Sequence, residues 1–235
     1  MQRLLMVLSI VALGVASCAV DQDNKVVESP VVREQTTEVD EVALAPPGPL
    51  DDEWSRWLVG EWEVFAESDI EGYKRWVRGA GMMNAEMGLR DQFLIIRKEG
   101  RITRISDEYL RHLKHDLHTS DEEIEALQSM TFGDIELHSI NPHNGRLVAY
   151  LFDSWRCVAE GTGTRGGNRE VIEWEWSLAG GGTSVRTTAR TGDNKLTVVE
   201  KYTLPDGSTM EDRIRMIRKR PLPSDSGSLA SLVTR

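Results

Sequence analysis

Cys18 is the residue of this chain whose chemistry is most clearly marked by its neighbours. It follows an apolar run from Leu4 to Val15, which begins just after the positive charge of Arg3 and is followed by small residues. These features are the three parts of a secretory signal. The run is about a dozen residues long, too short for a hydrocarbon core that needs about 20, so we expect a cleaved signal peptide and no transmembrane helix.

The stretch Val15-Ala16-Ser17-Cys18 resembles the bacterial lipobox, in which the cysteine thiol is acylated and the chain is cut just before it. This resemblance implies a signal peptide over residues 1–17 and a Cys18 that carries acyl chains such as palmitate. Position 19 is alanine and not the aspartate that retains lipoproteins in the inner membrane of enteric bacteria. The implied location is therefore the outer membrane, facing the periplasm. The alternative is an ordinary cleaved signal followed by a chance cysteine.

Three histidines, at 112, 115 and 118, have the spacing with which neighbouring helical side chains can share a metal ion. At about 100° per residue they lie opposite an apolar stripe of the same segment and face solvent, so we predict no metal site. Cys157 lies in a strand-like stretch, where a cysteine is usually a small buried hydrophobe. With the other cysteine lipidated, no disulfide is predicted.

Charge and motifs exclude several classes of function. The net charge is −10 and the pI is near 5.1, which argues against a nucleic-acid partner. The chain has no Gly-x-Ser-x-Gly, His-Glu-x-x-His or Walker sequence. The glycines of residues 161–167 predict a hairpin loop, because no helix follows to bind phosphate. We assign no catalytic residue, cofactor or metal.

Composition divides the mature chain into three parts. Residues 18–50 are polar, acidic and rich in Val and Pro, which predicts a disordered tether, and residues 221–235 form a similar tail. The intervening residues 51–220 have the size of one domain. Turn signals recur within it, which is typical of short strands joined as hairpins. They lie at residues 99–101, 141–146, 161–168, 179–183, 191–194 and 205–208.

Three segments alternate apolar and polar residues, as half-buried strands do. Their predicted inward sets are Ile172, Trp174, Trp176 and Leu178; Leu196, Val198, Tyr202 and Leu204; and Met210, Ile214 and Met216. Glu200 and Asp212 fall on the inward faces of the second and third segments. A hydrated or ligand-filled barrel tolerates such carboxylates better than a dry sandwich core. The sequence therefore predicts an all-β, antiparallel barrel.

Two segments have helical character. Residues 51–60 predict a short N-terminal helix, and two short helices are expected within an insertion at residues 101–130. Thr119 or Ser120, followed by Glu122 and Glu123, is a good helix start.

The sequence Gly60-Glu61-Trp62 directly after the first helix is similar to the opening of calycin barrels. The resemblance implies that Trp62 plugs the closed end of an up-and-down lipocalin-like barrel, with an arginine of the last strand across its indole. Arg213, Arg215 and Arg218 are the candidates. Trp54 and Trp57, on the helix, should each keep one side in water.

Residues 50–220 as a whole resemble a bacterial lipocalin-like family of unknown function. The segments that show this resemblance are LVGEWEV at 58–64, GMMNAEMGLRDQFLI at 81–95, NPHNGRLVAYLFDSW at 141–155 and EGTG at 160–163. This resemblance implies a fold and no catalytic residues.

The candidates for lining an interior ligand site are aromatic: Tyr150, Phe152, Trp174 and Trp176. Together with the lipobox they lead to the hypothesis of a lipid-anchored cell-envelope barrel that binds a small, partly apolar ligand. The alternative is a non-catalytic module whose helical insertion binds another protein. A catalytic function is the third and least favoured hypothesis.

Overall fold

The computed structural model describes residues 48–70, 72–176 and 181–219. The predicted signal peptide, Cys18, most of the tether and the tail lie outside them. The helices are α1 (Glu53–Leu58), α2 (Asp107–His115) and α3 (Asp121–Gln128). The strands are β1 (Gly60–Ile70), β2 (Tyr73–Gly88), β3 (Phe93–Ile105), β4 (Thr131–Ile140), β5 (Leu147–Asp153), β6 (Val158–Gly166), β7 (Arg169–Trp176), β8 (Thr183–Gly192), β9 (Lys195–Thr203) and β10 (Thr209–Arg218).

The ten strands form one closed antiparallel barrel in which each strand pairs with the next along the chain. The barrel closes where β10 pairs with β1, and Trp62 lies opposite Arg218 in that register. This confirms the predicted all-β, lipocalin-like barrel with a short N-terminal helix and an inserted helical segment. Closure leaves no strand edge of the described barrel unpaired.

Local sequence signals fix the three helices. Asp52 caps α1 by accepting a hydrogen bond from the Ser55 amide, and Ser106 caps α2. Ser120 begins α3 with a reciprocal capping box to Glu123. The predicted insertion boundary is wrong at its start, because residues 101–105 belong to β3 and pair with β2. Among the described residues, no helix combines the length and apolarity that a membrane crossing requires.

The buried apolar side chains form three clusters. The α1-end cluster lies under the first helix and includes Trp57, Leu58 and Trp62. The aromatic cluster lies inside β5–β7, β9 and β10 and includes Trp174, Trp176 and Tyr202. The helix-side cluster joins α2 and α3 to β2 and β3, with Trp76, Tyr109, Leu113 and Ile124 among its members. The apolar faces of the inserted helices are therefore used within the fold.

Two of the predicted turns lie inside strands. Residues 99–101 belong to β3, and residues 161–166 belong to β6. A Cβ on Gly100 would lie 2.6 Å from ring atoms of Phe132, and one on Gly161 would lie 2.7 Å from the Trp174 ring. These glycines are thus explained by close packing of large inward aromatics. The turn prediction is wrong for residues 99–101, and in residues 161–168 it holds only for Gly167 and Asn168, which form the turn between β6 and β7.

Candidate functional site

The four aromatic residues predicted to line the interior lie on opposite sides of the barrel wall. Trp174 and Trp176 point inward and are almost fully buried. Tyr150 and Phe152 are 40% and 45% exposed, because on β5 the alternate residues Leu147, Ala149 and Leu151 are the buried ones. The prediction that Tyr150 and Phe152 face the interior is therefore corrected. Leu178 lies outside the described residues.

Trp62 lies fully buried beneath α1. Its Nε1 donates to the Leu58 carbonyl at 2.9 Å, and the Arg218 guanidinium lies 4.1 Å from the ring centroid. Of the three candidate arginines, Arg218 is thus the one stacked on Trp62. Trp54 and Trp57 are also buried, although each was expected to keep one side in water. Trp57 packs edge-on against Trp62, with 5.1 Å between the ring centroids.

Charged side chains occupy the middle of the barrel interior. This ion network consists of Lys98, Asp134, Glu136, His138, Arg165, Glu170, Arg186 and Glu200, whose side chains are at most 7% exposed. Arg186 lies over the ring of Trp174 at 5.0 Å, so the network contacts the aromatic cluster on one side. Such a buried network is tolerable only because its members are paired.

Glu136 is the centre of the network. One carboxylate oxygen accepts from Lys98 and from Arg186 at 2.6 Å, and the other pairs with His138 Nε2 at 2.8 Å. Arg186 Nε in turn donates a hydrogen bond to Glu200 Oε2 at 2.7 Å. Three basic groups therefore depend on one buried carboxylate.

The network reaches α1 through Arg165. Its side chain binds Glu170 at 2.6 Å, the cap residue Asp52 at 3.2 Å and the Ser55 hydroxyl at 2.7 Å. Glu170 lies 3.8 Å from His138 Nδ1. The N-terminus of α1 is therefore attached by ion pairs to the centre of the barrel.

These contacts shift the titration of the network. Burial alone would raise the pKa of Glu136, but Arg186 and Lys98 outweigh it and hold the pKa well below its ordinary value. Burial alone would lower the pKa of His138, but hydrogen bonds to Glu136 and Glu170 raise it. The arrangement thus favours a protonated His138 between two carboxylates.

A cavity of about 30 Å³ lies between the network and the α1-end cluster. One wall is polar, with Lys98, Glu136, His138, Glu170, Arg186 and Thr188. The other wall is apolar, with Leu58, Met83, Ile96, Leu196, Val198, Ile214 and Met216. A water molecule needs roughly 10–15 Å³ of cavity volume, so the cavity has room for water but not for an organic ligand.

Asp212 is buried without a hydrogen bond to either carboxylate oxygen in the described part of the chain. The residue is 2% exposed, and this burial raises its pKa to about 7, although the nearby Ser68 hydroxyl acts to lower it. The Tyr202 hydroxyl is likewise buried and unpaired among the described residues. Glu200 and Asp212 were the inward carboxylates predicted from the sequence.

We expect Asp212→Asn to stabilise the protein at pH 8 and to have little effect at pH 5. The folded-state pKa of about 7 lies above the ordinary value of 3.8 for an aspartate side chain, so the contribution of this group to wild-type stability falls as pH rises from about 4 through 7. Each pKa unit corresponds to about 1.4 kcal/mol, and we expect a gain of about 1–3 kcal/mol at pH 8. Urea melts at both pH values measure it.

The matched control is Glu175→Gln, which neutralises an exposed carboxylate on the outer face of β7 and should change neither melt by more than about 0.5 kcal/mol. An Asp212→Asn protein less stable than wild type at pH 8 would show that the ionised carboxylate is stabilised in the folded barrel.

Sequence reasoning missed seven of the eight members of the network, all except Glu200. On β4 the inward residues are Phe132, Asp134, Glu136 and His138, and the outward residues include Ile135 and Leu137. A period of two was present in this segment, but hydrophobicity assigns its faces the wrong way round. The alternation of charged residues was the available signal.

The remaining candidate residues lie away from the network. His112 pairs with Asp116 at 2.7 Å, and within the described ranges no three potential ligands come together for a metal ion. Cys157 is buried in the aromatic cluster, and the prediction of no disulfide stays a prediction. The other cysteine, Cys18, lies outside the described residues.

The solved structures to which the chain is similar match it at low sequence identity and low TM-score. A structure of the S-type phycobiliprotein lyase CPES from Guillardia theta is 8% identical with a TM-score of 0.46, over 72% of this chain and 93% of that one. A de novo designed fluorescence-activating β-barrel is 10% identical with a TM-score of 0.34, over 70% and 98%. No protein-family model matches the chain, and no curated protein sequence does so either.

Proposed function

We propose that this chain is a lipid-anchored barrel of the bacterial cell envelope that binds a small, partly apolar molecule beneath α1. The lipobox-like sequence before Cys18 supports the anchor, in the outer membrane and facing the periplasm. Several acyl chains on one cysteine give stable membrane attachment, which a single chain does not. The tether of residues 18–50 then holds the barrel near the membrane surface.

The observation that carries the binding proposal is the two-sided wall of the cavity. A ligand with an apolar body would lie against Leu58, Met83 and Met216, and its polar group would meet Lys98 and Arg186 on the other wall. Ligand sites generally combine an apolar lining with a few placed polar groups. The ligand class is therefore an amphipathic small molecule.

Binding of an organic molecule requires the cavity to expand beyond its volume of about 30 Å³. Leu58 closes it from above and belongs to α1, a helix of only six residues. Methionine side chains adapt easily to new shapes, so Met83 and Met216 supply further room. The contacts of Arg165 with Asp52 and Ser55 at the N-terminus of α1 form the latch that movement of α1 must break.

One experiment tests both parts of the proposal. The full chain is expressed in a Gram-negative host, isolated from its membranes and weighed under native and denaturing conditions. We expect the denaturing mass to show a chain that begins at an acylated Cys18, and the native mass to exceed it by a retained small molecule. Val198→Phe, which fills the cavity, should lose that molecule, whereas Val185→Phe on the exposed outer face of β8 should keep it.

The two parts fail separately. A native mass equal to the denaturing mass overturns ligand binding and leaves the anchor standing. A thioether at Cys18 and a Cys18–Cys157 disulfide exclude each other, since one sulfur atom serves both. A mature protein in which Cys18 is cross-linked to Cys157 overturns the anchor. A Cys18→Ser variant that is as firmly membrane-bound as the wild type overturns it as well.

A further inference from the structure

An apolar patch lies on the outer face of β3–β6. This outer patch consists of Ile95, Ile135, Leu137, Tyr150, Phe152 and Val158. Ile135, Tyr150 and Phe152 are each 40% exposed or more, and the other three are half-buried. Trp155, in the turn after β5, is 38% exposed. A contiguous patch of this kind on a monomer commonly marks an interaction site.

The strand register makes the patch continuous. Ile135 lies opposite Phe152, and Leu137 lies opposite Tyr150. Phe152 in turn lies opposite Val158 on β6, and Leu137 lies opposite Ile95 on β3. Directly opposed side chains on one face are about 5 Å apart, so the six residues form two adjoining rows.

Folding alone does not account for the patch. On β4 the charged residues Asp134 and Glu136 are buried, while Ile135 is 42% exposed. This inverted strand buries charge and exposes apolar surface, which is unfavourable in an isolated domain. An occupant that covers Ile135 removes the second of these costs.

We propose that the outer patch is a homodimer interface, in which β4 and β5 of two copies pack face to face about a two-fold axis parallel to the strands. Such an isologous interface brings one surface against itself. The axis runs between β4 and β5, so Ile135 of one copy contacts Phe152 of the other. This inference is independent of the proposed ligand and anchor.

Charges around the patch select a second copy as the occupant. Glu99 and Arg97 flank it on β3, and Arg156 and Glu160 flank it on the β6 side. Glu99 is paired with Gly133, whose carbonyl binds the Ser154 amide, so Glu99 and Arg156 lie toward the same end. The two-fold axis places β3 of one copy over β6 of the other. Each Glu99 then faces Arg156, and each Arg97 approaches Glu160.

These charges are available for such contacts. Within residues 48–70, 72–176 and 181–219, Glu99, Arg156 and Glu160 form no ion pair, and all three are exposed. Arg97 pairs with the exposed Glu86, a contact of small net value that can be exchanged. Opposite charges on the two sides of one surface make it complementary to itself.

Site-specific photocrosslinking of the full chain in its host tests the dimer. With p-benzoylphenylalanine in place of Phe152, we expect a covalent dimer on denaturing gels, cross-linked to the peptide that contains Ile135. The same photoprobe in place of Val185, which is equally exposed on β8, should give no dimer. A monomer alone, or crosslinks only to other proteins or to lipid, overturns the proposal.

A charge swap tests the orientation. Arg97→Glu places like charges opposite Glu160 and should lower the crosslinked dimer about tenfold, equivalent to about 1.4 kcal/mol. The double variant Arg97→Glu with Glu160→Arg should restore it. Both residues are exposed, and unchanged thermal melts confirm that folding is intact. Equal dimer yield in all three proteins rejects this two-fold arrangement.

Discussion

Replacing Trp62 with alanine is expected to lower the free energy of unfolding by about 3–5 kcal/mol. The side chain is fully buried, and its removal leaves a void between Trp57 and Arg218, which both contact its ring. The Arg218 guanidinium, itself 4% exposed, also loses the aromatic face on which it lies. A domain is stable by about 5–15 kcal/mol, so this is a large part of the total. Urea melts measure the loss.

The matched control is Trp155→Ala, since Trp155 lies in a turn and keeps 38% of its surface exposed. Its loss should be about 1 kcal/mol or less. Because Trp57 is buried against Trp62, Trp57→Ala should also be costly. Similar melts for Trp62→Ala and Trp155→Ala would contradict the role of Trp62 in closing the barrel.

Glu136→Gln is expected to destabilise the barrel by about 3–5 kcal/mol, the usual cost of removing one partner from a buried ion pair. The variant keeps the size of the side chain but leaves Lys98 and Arg186 without their shared carboxylate. Glu173→Gln, on the exposed outer face of β7, is the control and should change stability by less than about 0.5 kcal/mol. Urea melts at pH 7 compare them.

A double variant separates pairing from packing. If the loss in Glu136→Gln comes from an uncompensated charge, adding Lys98→Met should recover part of it, because the cation left behind is then gone. The coupling free energy of the two changes should be about 0.5–3 kcal/mol. Strictly additive losses would mean that Lys98 and Glu136 contribute independently, against the contact that the barrel shows.

The sequence predicts strands and their inward faces correctly where the pattern of hydrophobic residues follows the two-residue period of a strand. β7 is the clearest case, since Ile172, Trp174 and Trp176 are all buried. On β9 and β10 the inward carboxylates Glu200 and Asp212 were also predicted, because apolar neighbours on both sides fixed the face. A strand with one misplaced polar residue is still assigned to the correct face.

The ion network could not be predicted in the same way. Glu136 and His138 lie inward because partners from β3 and β8 meet them there, and those partners are distant in sequence. Tyr150 and Phe152 were misassigned because both faces of β5 are apolar, so alternation alone does not show which face is inward. The strand propensity of a segment does not specify the tertiary contacts that its side chains make.

The closure of β1 against β10 also sets the order in which the domain can form. The first and last strands of the barrel are its longest-range partners, so no stable closed form exists until the chain has been made as far as Arg218. Pairings between distant segments are slow to form because a large loop must close first. A truncation within β10 would open the ring at two strands, β1 and β9, and should yield an aggregation-prone chain and not a smaller barrel.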